Sequence, residues 1–239
     1  MVHRKQNIKI WEVFPRITTV IKKCHESEGG TFFGHDFDHA LRVANYATII
    51  AEDEKTARLA GLAGLCHNAD RILQHKTDVG FYGDVLDVEV KKLVNSWLDN
   101  DKNISIDDRE IVLDAVLHHS KKNDPSDSPT LITLMDADRL VNIEADLIPR
   151  EGQCIPNVHV IDPILLLSDP EAHFFNPKSI MRHVKEILDW EIEGGIVGIR
   201  LPKARKIAKS RFNFLKLFLK TTIDQRKEAG LIPYPEIKP

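Results

Sequence analysis

The stretch GHDFDHALRVANYATIIA, residues 34–51, contains a helical pattern of apolar residues. Its apolar residues recur every three or four positions, which is the spacing of one face of an α-helix. Asp36 stands just before the first turn, where a carboxylate can accept the free backbone N–H groups of a helix start. The stretch therefore predicts an amphipathic helix that opens at His39 and buries its apolar face.

The same spacing continues along the rest of the chain. Apolar residues recur at helical intervals around residues 59–66, 90–97, 112–119 and 131–141. No strand alternation of comparable length competes, although short strands or a hairpin are an alternative near Gly80–Gly83. These patterns predict an all-α fold, a single helical bundle over residues 1–239.

Prolines mark where the predicted helices stop and start. An N-terminal helix is predicted around Ile8–Cys24, with Pro15 bending it or splitting it in two. Five of the twelve prolines fall in residues 149–177, which predicts an irregular excursion of the kind that often serves as a lid or binding loop. The C-terminal region, residues 178–228, is predicted to form two helices, the second of which starts at Pro202.

Composition limits the class of protein. The chain has 239 residues, 42% hydrophobic and 29% charged, with a net charge of -3. This is an ordinary globular composition, and it argues against a protein whose whole surface binds polyanions. Three unpatterned cysteines argue against a disulfide framework and favour a reducing compartment. Because no apolar run reaches the roughly 18 residues of a membrane span and no secretory signal is evident, we expect a cytoplasmic protein without membrane contact.

Three ligand-type side chains stand on helix faces or ends that should be buried. Asp138 lies on an apolar stripe, and a buried carboxylate needs a partner. His67 follows Ala63 and Gly64, whose small size lets another helix approach, and His39 opens its own helix. Imidazole and carboxylate groups on facing helices are how helical bundles hold metal ions. We therefore predict that His39, His67 and Asp138 converge on one site; the alternative is that each is separately a satisfied core or surface residue.

Two adjacent histidines end a further helix. His119 continues the apolar stripe of Val112 and Ala115, whereas His118 follows Asp114 by one turn. This helical phase predicts that His119 approaches the site more closely than His118 does.

Four short motifs occur along the chain in one order: GHDFDHALRVANYA, LAGLAGLCHNADR, AVLHHS and MDADRLVNI. In that order they resemble the opening HDxxHxxRV helix, the helix ending in a His-Asp pair, the helix that contributes a further histidine, and the final aspartate motif of the HD-domain metal-dependent phosphohydrolase superfamily. The tail LPKARKIAKSRFNFLKLFL is similar to the C-terminal helix of an uncharacterised bacterial subgroup of these hydrolases. The resemblance runs from about Gly34 to about Leu219.

The resemblance implies a divalent ion (Mn, Fe, Co, Ni, Zn or Mg) held by His39, His67, position 68 and Asp138, with His118 and His119 as further ligands. Position 68 departs from the family, which has aspartate where this chain has Asn68. An amide oxygen is a neutral and weaker ligand than a carboxylate, so we expect weaker metal binding and impaired hydrolysis. Because Asn and Asp have nearly the same volume, this argument predicts that Asn68→Asp changes thermal stability little.

Further side chains are candidates for the chemistry beyond metal binding. Asp70 is a candidate proton donor, or a surface acid at a helix end. Arg42 binds a substrate phosphate, or pairs with a nearby aspartate, and Arg139 carries the same ambiguity. Lys121 and Lys122 reach a phosphate, or complement the dipole at a helix C-terminus.

The last helix is basic, with nine lysines and arginines against two acidic residues in residues 201–228. A solvated face of an amphipathic helix accounts for this charge better than a nucleic-acid surface does. Its apolar side is predicted to pack on the core or on a second subunit, which would make a homo-oligomer; that side contains Phe212, Phe214, Leu215, Phe218 and Leu219.

Three functions compete at this point. The first is metal-dependent hydrolysis of a phosphoester in a nucleotide or related small molecule, in which the metal activates water and cations stabilise the developing charge. The second is a catalytically degenerate HD domain that binds nucleotide or metal without cleavage, which Asn68 favours. The third is a structural or nucleic-acid-binding protein that uses the basic last helix.

Overall fold

The computed structural model describes residues 8–27, 34–77, 84–154, 158–174 and 176–236. These residues are mostly helical, and they contain isolated β-bridges but no strand. The predicted all-α fold is therefore confirmed. The alternative of a hairpin near Gly80–Gly83 lies outside the described residues.

The described residues form α-helices and one short 3-10 helix. They are α1 (Ile10–Val13), α2 (Pro15–Ser27), α3 (Phe37–Ile50), α4 (Glu54–Cys66), α5 (Ala69–Thr77), α6 (Asp87–Leu98), α7 (Ile106–His118), α8 (Pro129–Val141), α9 (Leu147–Cys154), α10 (Ile180–Ile187), the 3-10 helix Leu188–Glu191, and α11 (Pro202–Glu228). None of these helices combines the length and the apolar composition that a membrane span requires.

Three helices, α3, α4 and α8, pack against one another at the centre of the fold. Every residue of α4 from Leu59 to Cys66 is buried, as expected of a helix that is apolar on all sides. α7 packs against α4 and α8, and α11 packs against α8. This arrangement positions the N-terminus of α3, the C-terminus of α4 and the last turns of α8 near one another.

Side-chain caps and prolines set the helix ends. Oδ1 of Asp36 accepts the backbone N–H of His39 at 2.8 Å, so Asp36 is the N-cap of α3, as predicted. Pro15 separates α1 from α2, and Pro202 begins α11. Equivalent side-chain caps begin four other helices; they are Asp53, Ser105, Ser128 and Ser179.

The irregular excursion begins later than the prolines predict. Residues 147–154 form α9, so the expectation of irregular structure from Pro149 onward is wrong for its first residues. Pro149 is the third residue of α9, where the backbone N–H has no acceptor within the helix and its loss costs little. Beyond α9, the described residues up to Ser179 form turns and isolated bridges.

The last helix packs through only part of its predicted apolar side. Phe212, Leu215 and Leu219 are buried and Phe218 packs against the core, but Phe214 is 42% exposed and does not pack on the core, so packing of Phe214 on a second subunit stays a prediction. Arg211 donates from Nη1 to the backbone oxygen of Leu140 at 2.6 Å. Part of the basic face therefore ties α11 to α8.

Gly64 sets the separation between α3 and α4. A Cβ added at Gly64 would lie 2.8 Å from both the Cα and the backbone nitrogen of Ala44. Since both atoms belong to the backbone, the clash cannot be relieved by a side-chain rotation. The predicted role of the small residues before His67 is therefore confirmed at this position.

We expect Gly64→Ala to lower the free energy of unfolding by about 1–3 kcal/mol, because the two central helices must move apart. Urea unfolding of the metal-free protein measures this change. Gly152→Ala is the matched control: its added Cβ would meet only Cδ1 of Ile180 at 3.8 Å, and alanine is favoured over glycine within a helix by about 0.5–1 kcal/mol. Changes of equal sign and size in the two variants would contradict the close approach at Gly64.

Candidate metal centre

His39, His67 and Asp138 meet although 99 residues separate the first from the last. Nε2 of His39 lies 3.2 Å from Oδ1 of Asp138, and Nε2 of His67 lies 3.7 Å from the same oxygen. One ligand atom from each residue falls within 4.8 Å of the others. The predicted convergence of these three side chains is confirmed.

His67 is held in the tautomer that suits a metal ligand. It follows the last residue of α4, and its Nδ1 donates to the backbone oxygen of Gly64 at 2.7 Å. The ring is buried, and among the described residues Nε2 has no hydrogen-bond partner. Burial lowers the pKa of His67 to about 3, against the opposing field of Asp138. At neutral pH its Nε2 lone pair is therefore free and directed towards the cluster.

Asp138 supplies the negative charge of the cluster. Burial alone would raise its pKa, but the hydrogen bond from His39 and the adjacent imidazoles outweigh burial and hold the pKa well below its usual value. The side chain is 21% exposed, whereas those of His39 and His67 are at most 1% exposed. The cluster is therefore ionised at Asp138 and open to solvent on that side.

Of the two adjacent histidines, His119 faces the cluster. Its ring centroid lies 5.3 Å from that of His67, and its Nδ1 donates to the backbone oxygen of Val116 at 2.7 Å. His118 instead pairs through Nδ1 with Oδ1 of Asp114 at 2.8 Å. The placement agrees with the predicted helical phase, and Nε2 of His119 is the atom left available to bind an ion or a proton.

Asn68 is buried in the turn between α4 and α5, with 2% of its surface exposed. Its Nδ2 donates to the backbone oxygen of His35 at 3.2 Å. A carboxylate could not donate this hydrogen bond. Asn68 therefore has a structural partner that the sequence did not indicate.

Asp70 lies in the first turn of α5, after the turn that contains Asn68. Its Oδ1 accepts the backbone N–H of Arg71 at 2.8 Å, and its side chain is 31% exposed. These contacts fit the alternative of an acid at a helix end, and its role as a proton donor stays a prediction.

Arg42 lies among carboxylates. Its guanidinium pairs with Asp38 at 2.9 Å, with Asp146 at 3.0 Å and with Glu144. Of the two predicted roles, the structure shows the ion pair. The guanidinium of Arg42 already pairs with three carboxylates, which makes it a poorer candidate for binding phosphate.

The remaining cationic candidates are Lys121, Lys122 and Arg139. Lys121 and Lys122 are exposed in the turn beyond α7, and a phosphate contact from either stays a prediction. Arg139 donates to Oδ1 of Asn123 at 2.9 Å and to the backbone oxygen of Gly198 at 3.1 Å. Arg139 therefore connects α8 to the loops that contain Asn123 and Gly198. These contacts fit the structural alternative for Arg139 rather than phosphate binding.

Two residues that the sequence analysis did not assign complete the cluster. Nδ2 of Asn142 donates to Oδ1 of Asp138 at 2.9 Å, and Nη1 of Arg150 lies 3.2 Å from Nδ1 of His39. Asn142 follows Asp138 by four residues, a helical spacing that the sequence displays. The sequence does not indicate a contact for Arg150, because its prolines predicted an irregular segment where α9 forms.

A divalent ion fits these donors. The buried Nε2 of His67 has no hydrogen bond to the described residues, and it lies 3.7 Å from a carboxylate oxygen of Asp138 that could bind the same ion. Imidazole and carboxylate ligands suit Zn, Fe, Mn, Ni and Co. The side chains that would hold the ion are His39, His67 and Asp138, with His119 as the neighbouring imidazole.

Comparison with family models locates this site within a known domain. Residues 36–143 match the HD domain. The matched HD segment includes His39, His67, Asn68 and Asp138, and it spans less than half of the chain. The match supports placing this segment in the HD-domain superfamily. No curated protein and no solved structure matches the chain significantly.

Burial of histidines in and near the HD segment predicts that the protein loses stability in acid. The pKa of His67 falls from 6.5 to about 3 on folding, so below pH 6.5 the unfolded chain binds a proton that the folded protein excludes. His67 therefore leaves the free energy of unfolding independent of pH above 6.5. Below pH 6.5 the free energy of unfolding decreases as the pH falls towards 3, by up to about 1.4 kcal/mol per pH unit.

Urea unfolding of the metal-free protein from pH 7.5 to 4.5 tests this expectation. In His67→Gln the unfolding free energy should depend less steeply on pH. Burial also lowers the pKa of His25, to about 4, and that of His35, so the slope should decrease rather than vanish. An unchanged slope in His67→Gln would show that His67 is not buried in its neutral form.

Proposed function

We propose that this protein is a metal-dependent phosphohydrolase that acts on a phosphoester of a small molecule such as a nucleotide. The observation that carries the proposal is the convergence of His39, His67 and Asp138, in which the buried Nε2 of His67 accepts no hydrogen bond from any described residue. The HD-domain match over residues 36–143 supports it, since proteins with this domain are usually metal-dependent hydrolases.

The residues of the cluster have separable roles in this proposal. A divalent ion bound there would lower the pKa of a bound water and polarise a phosphoryl oxygen. Gly64 fixes the tautomer of His67, and Asp138 remains ionised to attract the cation. His119, whose Nδ1 is committed to a backbone oxygen, can accept a proton at Nε2.

A second candidate function is a binding module that holds a metal or nucleotide without cleaving it. Asn68 favours this candidate, because its amide donates to the backbone of His35 and adds no negative charge to the site. Asp138 is then the one carboxylate of the cluster formed by His39, His67 and Asp138. A single carboxylate leaves a divalent ion less well neutralised than the family's pair does.

The test uses the full-length protein after removal of bound metal. Calorimetric titration with Mn²⁺, Co²⁺, Ni²⁺ and Mg²⁺ measures binding, and nucleoside mono-, di- and triphosphates, cyclic nucleotides and p-nitrophenyl phosphate serve as substrates. We expect metal binding, together with phosphoester hydrolysis that stops on chelation. Metal binding without turnover of any substrate would favour the binding module, and failure to bind any of the four ions would contradict both functions.

A further inference from the structure

Arg150 is a buried cation held in place beside the metal cluster. Its residue surface is 9% exposed, and its side chain crosses Gly34, where an added Cβ would lie 2.1 Å from Cδ of Arg150. Gly34 has a φ of +75°, a conformation that glycine adopts readily and other residues rarely do. The chain thus leaves a channel for this arginine at the start of α3.

The guanidinium of Arg150 is bonded to neutral groups. Nη1 contacts Nδ1 of His39 at 3.2 Å, and Nη2 donates to Oδ1 of Asn142 at 2.9 Å. Among the residues that the structure describes, no carboxylate forms a direct ion pair with it. Asn142 and His39 lie between Arg150 and the negative charge of Asp138, since each of them also contacts Oδ1 of Asp138. A buried guanidinium with neutral partners is suited to accept an anion.

The charges of the cluster leave room for that anion. With His39 and His67 neutral, Arg150 and Asp138 cancel. A divalent ion would add two positive charges to a largely buried site, and Asn68 offers none in compensation. An uncompensated charge of this size is costly away from water, whereas a phosphate dianion would restore neutrality.

Metal binding would also release Arg150 from His39. A guanidinium can only donate hydrogen bonds, so in this arrangement Nδ1 of His39 accepts and Nε2 carries the proton that faces Asp138. If Nε2 binds a cation, the proton of the neutral ring must lie on Nδ1, which can then no longer accept from Arg150. One edge of the guanidinium becomes free beside the ion, while Asn142 retains the other.

We propose that Arg150 is the anion-binding residue of this site, and that a divalent metal and a phosphate group bind there cooperatively. This inference rests on the proposed function and names the residue that would recognise the phosphoryl group of its ligand. Arg42, the arginine that the motif pattern suggested, is already paired with three carboxylates. Arg150 has no such pairing among the described residues.

Calorimetric titration of the full-length protein with inorganic phosphate, with and without saturating Mn²⁺, tests the inference. We expect the metal to tighten phosphate binding at least about 10-fold in the unmodified protein. Arg150→Met, which keeps the length but removes the charge, should lose this coupling, while Mn²⁺ alone binds it at least as tightly as before. Arg42→Met is the matched control and should keep the coupling.

Arg150→Lys separates charge from geometry: it should bind phosphate more tightly than Arg150→Met but more weakly than the unmodified protein, because lysine lacks the planar fork. Circular dichroism establishes that each variant is folded. If Arg150→Met does not fold, the phosphate affinities of the unmodified protein and Arg150→Lys, with and without Mn²⁺, still test the inference. Phosphate affinity that does not respond to Mn²⁺, or equal affinity in all variants, would overturn the inference.

Failure of this inference differs from failure of the proposed function. If the protein hydrolyses phosphoesters with metal but substitution of Arg150 does not change phosphate binding, the inference about Arg150 is wrong and the proposed function stands. Cooperative binding that depends on Arg150, without turnover of any phosphoester, would remove the hydrolase and leave the inference standing. A protein that binds no metal would remove both.

Discussion

Replacing Asp138 with asparagine is expected to weaken divalent-metal binding by at least about 100-fold, since changes outside the ligand shell already cost 10- to 100-fold in affinity. Asp138 carries the negative charge of the cluster it forms with His39 and His67. Its pKa lies well below the usual value, so the carboxylate is ionised at neutral pH. Asparagine removes that charge while keeping the size of the side chain.

The fold should survive Asp138→Asn, because the amide oxygen can still accept the hydrogen bond that Asn142 donates at 2.9 Å. Calorimetric titration with Mn²⁺ measures the loss of affinity, and circular dichroism measures folding. Asp114→Asn is the control, since Asp114 pairs with His118 and its side chain is 50% exposed. An affinity within twofold of the unmodified protein would exclude Asp138 as a ligand.

The helices and three members of the site could be read from the sequence because local signals specify them. Asp36 is a helix cap three residues before His39, and Gly64 is a small residue one turn before His67. The phase of each helix then points these side chains inwards. Such signals need only a few neighbouring residues, so they hold without knowledge of the tertiary structure.

The contacts of the arginines could not be read in this way. Arg42 pairs with Glu144 and Asp146, which lie 102 and 104 residues further along the chain. Arg150 meets His39 across 111 residues. No local periodicity in the sequence indicates such long-range pairs. The helix α9 was not predicted because proline usually marks a helix break, except in the first turn of a helix, where Pro149 lies.

The second large effect is expected from Asn68→Asp. This change places a second negative charge beside the ion, as in the pattern of the HD superfamily. We expect divalent-metal affinity to rise by about 10- to 100-fold, and metal-dependent phosphoester hydrolysis to rise with it, because the ligand shell sets the electrostatics of bound water. Titration with Mn²⁺ and the phosphoester panel measure the two effects.

The structure revises the expectation that Asn68→Asp leaves stability unchanged. Volume is conserved, but Nδ2 of Asn68 donates to the backbone oxygen of His35 at 3.2 Å. Aspartate at this position would lose that hydrogen bond and turn a carboxylate oxygen towards a carbonyl oxygen. The metal-free variant should therefore be less stable by about 1–3 kcal/mol, which lowers its midpoint of thermal unfolding by about 2–4 °C for each kcal/mol.

Saturating metal should reverse this order, because an ion that binds only the folded protein stabilises it in proportion to the logarithm of its affinity. Asn123→Asp is the matched control: it makes the same charge change and removes the amide that donates to Gly195 and Gly198 at 2.9 Å, outside the cluster. It should not gain metal affinity. If Asn68→Asp binds metal no more tightly and hydrolyses no phosphoester faster, Asn68 does not limit the site, and the protein is better described as a binding module.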